Sequence, residues 1–83
     1  MTIVNALGLH ARAAAKFVHH ASQFKSHIRI TRGSRTVDGK SILGLLLLAA
    51  PRGAALDITA DGPDAAAALD TLSALIARGF DDP

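Results

Sequence analysis

His10 and Arg12 stand either side of Ala11, behind Gly8-Leu9 and just before the run Ala13-Ala14-Ala15. A helix starting there would have His10 at its capping position, which Ser, Thr, Asp or Asn normally fill. The backbone amides of Ala11, Arg12 and Ala13 would then be open to an outside acceptor. Free amides at the positive end of a helix dipole make an anion site, and the Arg12 guanidinium suits phosphate oxygens. A neutral imidazole keeps one unprotonated nitrogen and can attack phosphorus. An idle surface histidine explains the same two residues, and on residue types alone that blander account is preferred.

Hydrophobic periodicity supplies the elements around this pair. Ala14, Phe17, Val18, Ala21 and Phe24 fall on one helical face, predicting a helix from about Ala11 to Gln23. Arg12, Lys16, His20 and Gln23 share its opposite, solvated face. In His27 to Arg32 the period drops to two, with Ile28 and Ile30 on the inner side of a half-buried strand. Gly33-Ser34 suits a two-residue hairpin turn, returning along Arg35 to Asp38. Ser41 reads as an N-cap for a Leu-rich helix from Ile42 to Ala50, stopped by Pro51. Leu56, Ile58 and Ala60 alternate with Asp57 and Thr59 as a further strand, and Thr2 to Asn5 is a short β-prone opening. Asp61-Gly62-Pro63-Asp64 is a helix start whose aspartates complement the dipole. Ala65, Ala68, Leu69, Leu72, Leu75 and Ile76 line one face of the last helix, which Gly79 closes. The expected order is β-α-β-β-α-β-α. It implies an α+β, two-layer, open-faced sandwich with a four-stranded antiparallel sheet under three helices.

Composition removes several function classes. A chain of 83 residues forms one domain and buries only roughly 60% of its unfolded surface. It has no Cys, and all seven acids are Asp, which excludes disulfides, thiolate sites and any glutamate base. No metal site and no cofactor are expected. His19 and His20 project about 100° apart on a helix, and nothing completes a ligand set with His27. Five residues between Gly33 and Gly39 are one too many for a phosphate-binding P-loop. Nine cations against seven acids leave +2, and no aromatic interleaves with Arg29, Arg32 and Arg35, so the nucleic-acid signal is weak. No secretory leader is readable, and the apolar run from Ile42 to Ala50 is about half the ~20 residues of a membrane span. A monomer in the cytoplasm, without membrane insertion, is expected.

Gly8-Leu9-His10-Ala11-Arg12-Ala13-Ala14-Ala15-Lys16-Phe17-Val18 resembles the active-site segment of HPr, the histidine phosphocarrier of the bacterial phosphotransferase system. Gly39-Lys40-Ser41-Ile42-Leu43-Gly44 resembles that family's second signature at the expected distance downstream. The resemblance covers essentially the whole chain, as a single domain over residues 1–83. It implies that His10 accepts a phosphoryl group on Nδ1 from Enzyme I and passes it to a IIA domain or protein. Arg12 and the amides of Ala11, Arg12 and Ala13 would hold the phosphoryl oxygens. Ser41 would be a regulatory target of HPr kinase/phosphorylase. Ala13 departs from the proline common in the family, which bears on local geometry more than on chemistry. The nitrogen-related branch, in which Ala also occurs there, stays open beside the sugar-transport branch.

The segment from Ile42 to Leu48 is apolar on more than one face. Ile42, Leu43 and Leu46 are therefore expected at the surface as a docking patch, with a leucine-filled core as the competing account, most plainly for Leu45 and Leu48. Two other functions compete with the relay. One is a small nucleic-acid-binding module using Arg29, Arg32 and Arg35. The other is a regulatory docking domain whose partners read the Ser41 helix.

Overall fold

Two isoleucines, Ile28 and Ile30, mark the inner side of the sheet: both are fully buried, while His27 and Arg29 beside them are exposed. A computed structural model of the chain describes residues 1–82. In it helix α1 spans Ala11–Ala21, strand β1 His27–Arg32 and strand β2 Arg35–Asp38. Helix α2 covers Ile42–Leu47, strand β3 Asp57–Asp61 and helix α3 Ala65–Ala77, and a 3-10 turn follows at Gly79–Asp81. The three strands form an antiparallel sheet in the order β2-β1-β3, with Ile30 opposite Val37 on one side and Ile58 on the other. Phe17 of α1, Leu45 of α2 and Leu72, Leu75 and Ile76 of α3 join Ile28 and Ile30 in one core. The fold is α+β, with its helices over the isoleucine face of the sheet.

The expected fourth strand is not formed. Thr2 makes only an isolated antiparallel bridge to Ala55. The Ile3 amide donates to the Ala54 carbonyl (3.0 Å), the Gly53 amide to Ile3 (2.8 Å) and the Leu56 amide to Met1 (2.7 Å). These bonds tie down the opening segment without extending the ladder, because both stretches bend away at once. One leaves the turn at Gly53 and the other turns at Asn5–Leu7 towards His10. Two helices also stop short of expectation. In α2, Ala49 takes φ +48°, turning the chain before Ala50, whose place ahead of Pro51 already disfavours helix. In α1 the chain tightens after Ala21, with the Phe24 amide donating to the Ala21 carbonyl (3.2 Å).

Asp64 occupies the N-cap position of α3 but does not cap it. Its carboxylate instead accepts from the Lys25 amide (2.8 Å), the Ser26 amide (2.9 Å) and the Ser26 hydroxyl (2.5 Å), joining the start of α3 to the entry of β1. The Ser26 hydroxyl, ahead of the Lys25 amide, lowers the Asp64 pKa to about 2. Its native value lies below its unfolded value. Its contribution to stability is therefore complete above the ordinary carboxylate value and lost as pH falls through about 2. Asp64→Asn should lower Tm by several degrees at neutral pH. The gap from wild type should close in thermal scans taken progressively below pH ~4. A gap that persists at the acid end would show that the carboxylate's charge is not what matters.

Candidate functional site

The approach to His10 is built by backbone. The Leu9 amide donates to the Ala50 carbonyl (2.9 Å), and Gly8 sits at φ +67° against Ala50 and Pro51. A Cβ on Gly8 would run into the Ala50 carbonyl, so glycine is required by both conformation and space. This anchoring delivers His10 in extended conformation (φ −79°, ψ 178°) as the N-cap residue of α1. The first backbone bond of the helix runs from the Ala14 amide to the His10 carbonyl (2.8 Å). Among the described residues, no side chain caps the amides of Ala11, Arg12 and Ala13.

His10 is half-buried, with 24% of its side chain exposed. With Ala6, Leu7, Ala11, Arg12 and Asp82 it lines one cleft. Arg12, on the first turn of α1, is exposed. The structure thus brings together His10, Arg12 and the three amides singled out in the sequence.

It adds Asp82, which sequence reasoning missed. Asp82 Oδ2 lies 2.5 Å from His10 Nε2 and also accepts from Asn5 Nδ2 (3.1 Å). Asn5 is itself buried, and its Nδ2 also donates to the Gly8 carbonyl (2.8 Å). The hydrogen bond from His10, followed by its charge and the Asn5 amide, holds the Asp82 pKa below the usual carboxylate value. Lys16 corrects a second expectation. It is not part of a solvated face: its Nζ donates to the Phe80 carbonyl (2.8 Å), fastening the C-terminal turn to α1. The lone apolar Phe80 behind the helix stop at Gly79 was the available signal that the chain folds back here.

Ser41 is the N-cap of α2 as expected, its Oγ accepting from the Gly44 amide (2.9 Å). Leu45 and Leu48 are core residues. Ile42, Leu43 and Leu46 are exposed at 43%, 69% and 36%, and Leu47 joins them. Helix α2 packs beside α1. Two of the three cations of the competing nucleic-acid account have structural duties. Arg32 Nη1 donates to the carbonyls of Leu48 (2.9 Å) and Ala49 (3.1 Å), and Arg35 Nη1 to that of Leu47 (2.7 Å). Both close the C-terminal end of α2. Arg29 lies opposite Asp38 in the sheet register.

A family model described as the PTS HPr component phosphorylation site matches residues 1–78. The chain belongs to the HPr family. This is the phosphocarrier family of the phosphotransferase system. Phosphocarrier protein HPr of Cupriavidus necator is 49% identical over 79 residues, covering 95% of this chain and 89% of that protein. Phosphocarrier protein NPr of Shewanella violacea is 44% identical, covering 99% of this chain and 90% of that one. The crystal structure of HPr-C-His from Thermoanaerobacter tengcongensis superposes with a TM-score of 0.95 at 37% identity, covering 100% of this chain and 93% of that one. No helix among the described residues of this HPr-family chain is long and apolar enough to cross a membrane.

Proposed function

We propose that His10 accepts a phosphoryl group on Nδ1 from the phosphohistidine of Enzyme I, charged by phosphoenolpyruvate, and passes it to a IIA domain or protein. The observation that carries this reading is His10 itself, a half-exposed N-cap residue whose side chain leaves the first three amides of α1 uncapped. A phosphoryl group on Nδ1 would meet those amides and the Arg12 guanidinium, which spread its charge without enclosing it. Weak, open binding serves a carrier, because an interaction that held the group tightly would slow its departure. Residues 1–83 act in this reading as one cytoplasmic domain, a stoichiometric carrier rather than a turnover enzyme.

Incubation with Enzyme I and phosphoenolpyruvate should add one acid-labile phosphoryl group, read by intact mass. The absence of an adduct on the wild-type chain would refute the reading. Arg12→Ala should slow transfer about tenfold or more in rapid-quench measurements, the loss of one charged hydrogen-bond donor to the phosphoryl group. Because the guanidinium is exposed, the melting curve should barely move. A large fall in Tm would make Arg12 structural instead.

Ile42, Leu43 and Leu46 are proposed as the docking surface for Enzyme I and IIA. Their exposure on a helix packed beside α1 supports this. Ser41 is proposed as the target of HPr kinase/phosphorylase where that kinase exists. A phosphate there would bring nearly two negative charges to the apolar patch and oppose docking by repulsion and desolvation. Phosphorylation by a purified kinase of this type, mapped by mass spectrometry, tests that assignment. A monomer is proposed as the working form, to be checked by light scattering, since a dimer has been solved for the Thermoanaerobacter tengcongensis HPr.

A further inference from the structure

We infer that Asp82 is a positioning residue for the proposed transfer, holding the proton of His10 on Nε2 so that Nδ1 presents its lone pair to phosphorus. The inference rests on the carrier reading but concerns a group beyond the matched motifs. A carboxylate can only accept, so the 2.5 Å contact requires that Nε2 donate. The carboxylate stays ionised there, favoured first by the bond from His10 and further by the Asn5 amide. Nε2 is thereby occupied, and the remaining ring nitrogen is the only one able to form a bond to phosphorus.

Asp82 is held in place from two sides. Asn5 Nδ2 bridges it to the Gly8 carbonyl, within the loop that delivers His10. Lys16 Nζ binds the Phe80 carbonyl two residues earlier in the tail. The Asp82 side chain is 8% exposed, so its bond to His10 is poorly reached by competing water. The transfer step then balances without moving a proton. The Nδ1 lone pair forms the new N–P bond as the donor's N–P bond breaks, and that electron pair leaves with the donor imidazole. The acceptor ring keeps its Nε2 proton and becomes cationic, and the Asp82 carboxylate offsets the charge that develops. The arrangement follows the logic of an aspartate behind a catalytic histidine, which orients the ring and stabilises its cationic form without taking its proton.

Nitrogen-15 NMR of the imidazole, at a pH where it is neutral, reads the tautomer directly and needs no phosphoryl donor. Wild type should show the Nε2–H form, with roughly a few per cent or less of the Nδ1–H form. Asp82→Ala should raise the Nδ1–H share about tenfold, the scale of a lost charge-assisted hydrogen bond. Asp82→Asn keeps an acceptor oxygen and should restore the wild-type tautomer while transferring more slowly, which a merely structural role would not produce. Phosphoramidate, a small-molecule donor, should place the group on Nδ1 in wild type and on both nitrogens in Asp82→Ala. If Asp82→Ala keeps both the wild-type tautomer ratio and the wild-type isomer, the inference is overturned. Failure of Enzyme I to charge the wild-type chain would instead strike the carrier reading and leave the tautomer result standing.

Discussion

His10→Gln, incubated with Enzyme I and phosphoenolpyruvate, should gain no phosphoryl group at all while melting within a few degrees of wild type. The first half follows from nucleophilicity. The chain has no Cys, and its other histidines, His19, His20 and His27, lie along or beyond α1 rather than at its uncapped start. A carboxamide nitrogen has its lone pair delocalised into the carbonyl and cannot replace an imidazole nitrogen. The second half follows from burial. His10 is outside the apolar core, and among the described residues its side chain bonds to Asp82 alone, which Asn5 continues to hold. Glutamine can also donate to Asp82 and so limits the loss. Mass spectrometry and a thermal scan of the same sample read both halves. An adduct on His10→Gln would move the acceptor elsewhere, and a collapsed Tm would make the imidazole a structural group.

The elements around the site were legible where the side-chain period is strong. Ile28 and Ile30 alternating with His27 and Arg29 set β1 and its hairpin partner at their observed bounds, because one face of that sheet is buried. Phe17 and Ala21 likewise fixed the inner face of α1. Legibility failed where a residue's role depends on a distant partner. Lys16 has the spacing of a solvated face, yet its ammonium meets a carbonyl 64 residues later. Asp64 has the identity of a cap, yet two amides and a hydroxyl at the entry of β1 compete for its oxygens and win. Thr2 to Asn5 has strand composition, but its partner stretch emerges from a turn too bent to sustain a ladder.

The candidate site divides along the same line. His10, Arg12 and the amides between them are local in the chain, so their geometry follows from where one helix begins. Asp82 reaches them only through a tail in which Phe80 and Asp81 take φ +57° and +58°. Left-handed backbone at non-glycine residues is uncommon and leaves no periodic trace. Such a conformation persists only where surrounding packing over-determines it.

Phe80 supplies that packing, and Phe80→Ala should therefore be the most destabilising single change near the site. Its ring is fully buried in the core shared with Phe17 and Leu72, so truncation loses its transfer free energy and leaves a cavity. The cost should be about 3–5 kcal/mol. For a domain of this length that is a Tm fall of roughly 15–30 °C, a large share of total stability. The effect should also reach the chemistry. Without the ring, nothing apolar compels residues 79–82 to turn back, and Lys16 loses a fixed carbonyl to bind. Asp82 then leaves His10, and the Nδ1–H tautomer should appear in the folded fraction, as in Asp82→Ala. Phe80→Leu fills most of the space and should recover both stability and tautomer in large part. Urea unfolding and imidazole NMR on the two variants separate the contributions. A Tm loss of only a few degrees in Phe80→Ala would show that the tail is anchored by Lys16 and Asn5 rather than by burial.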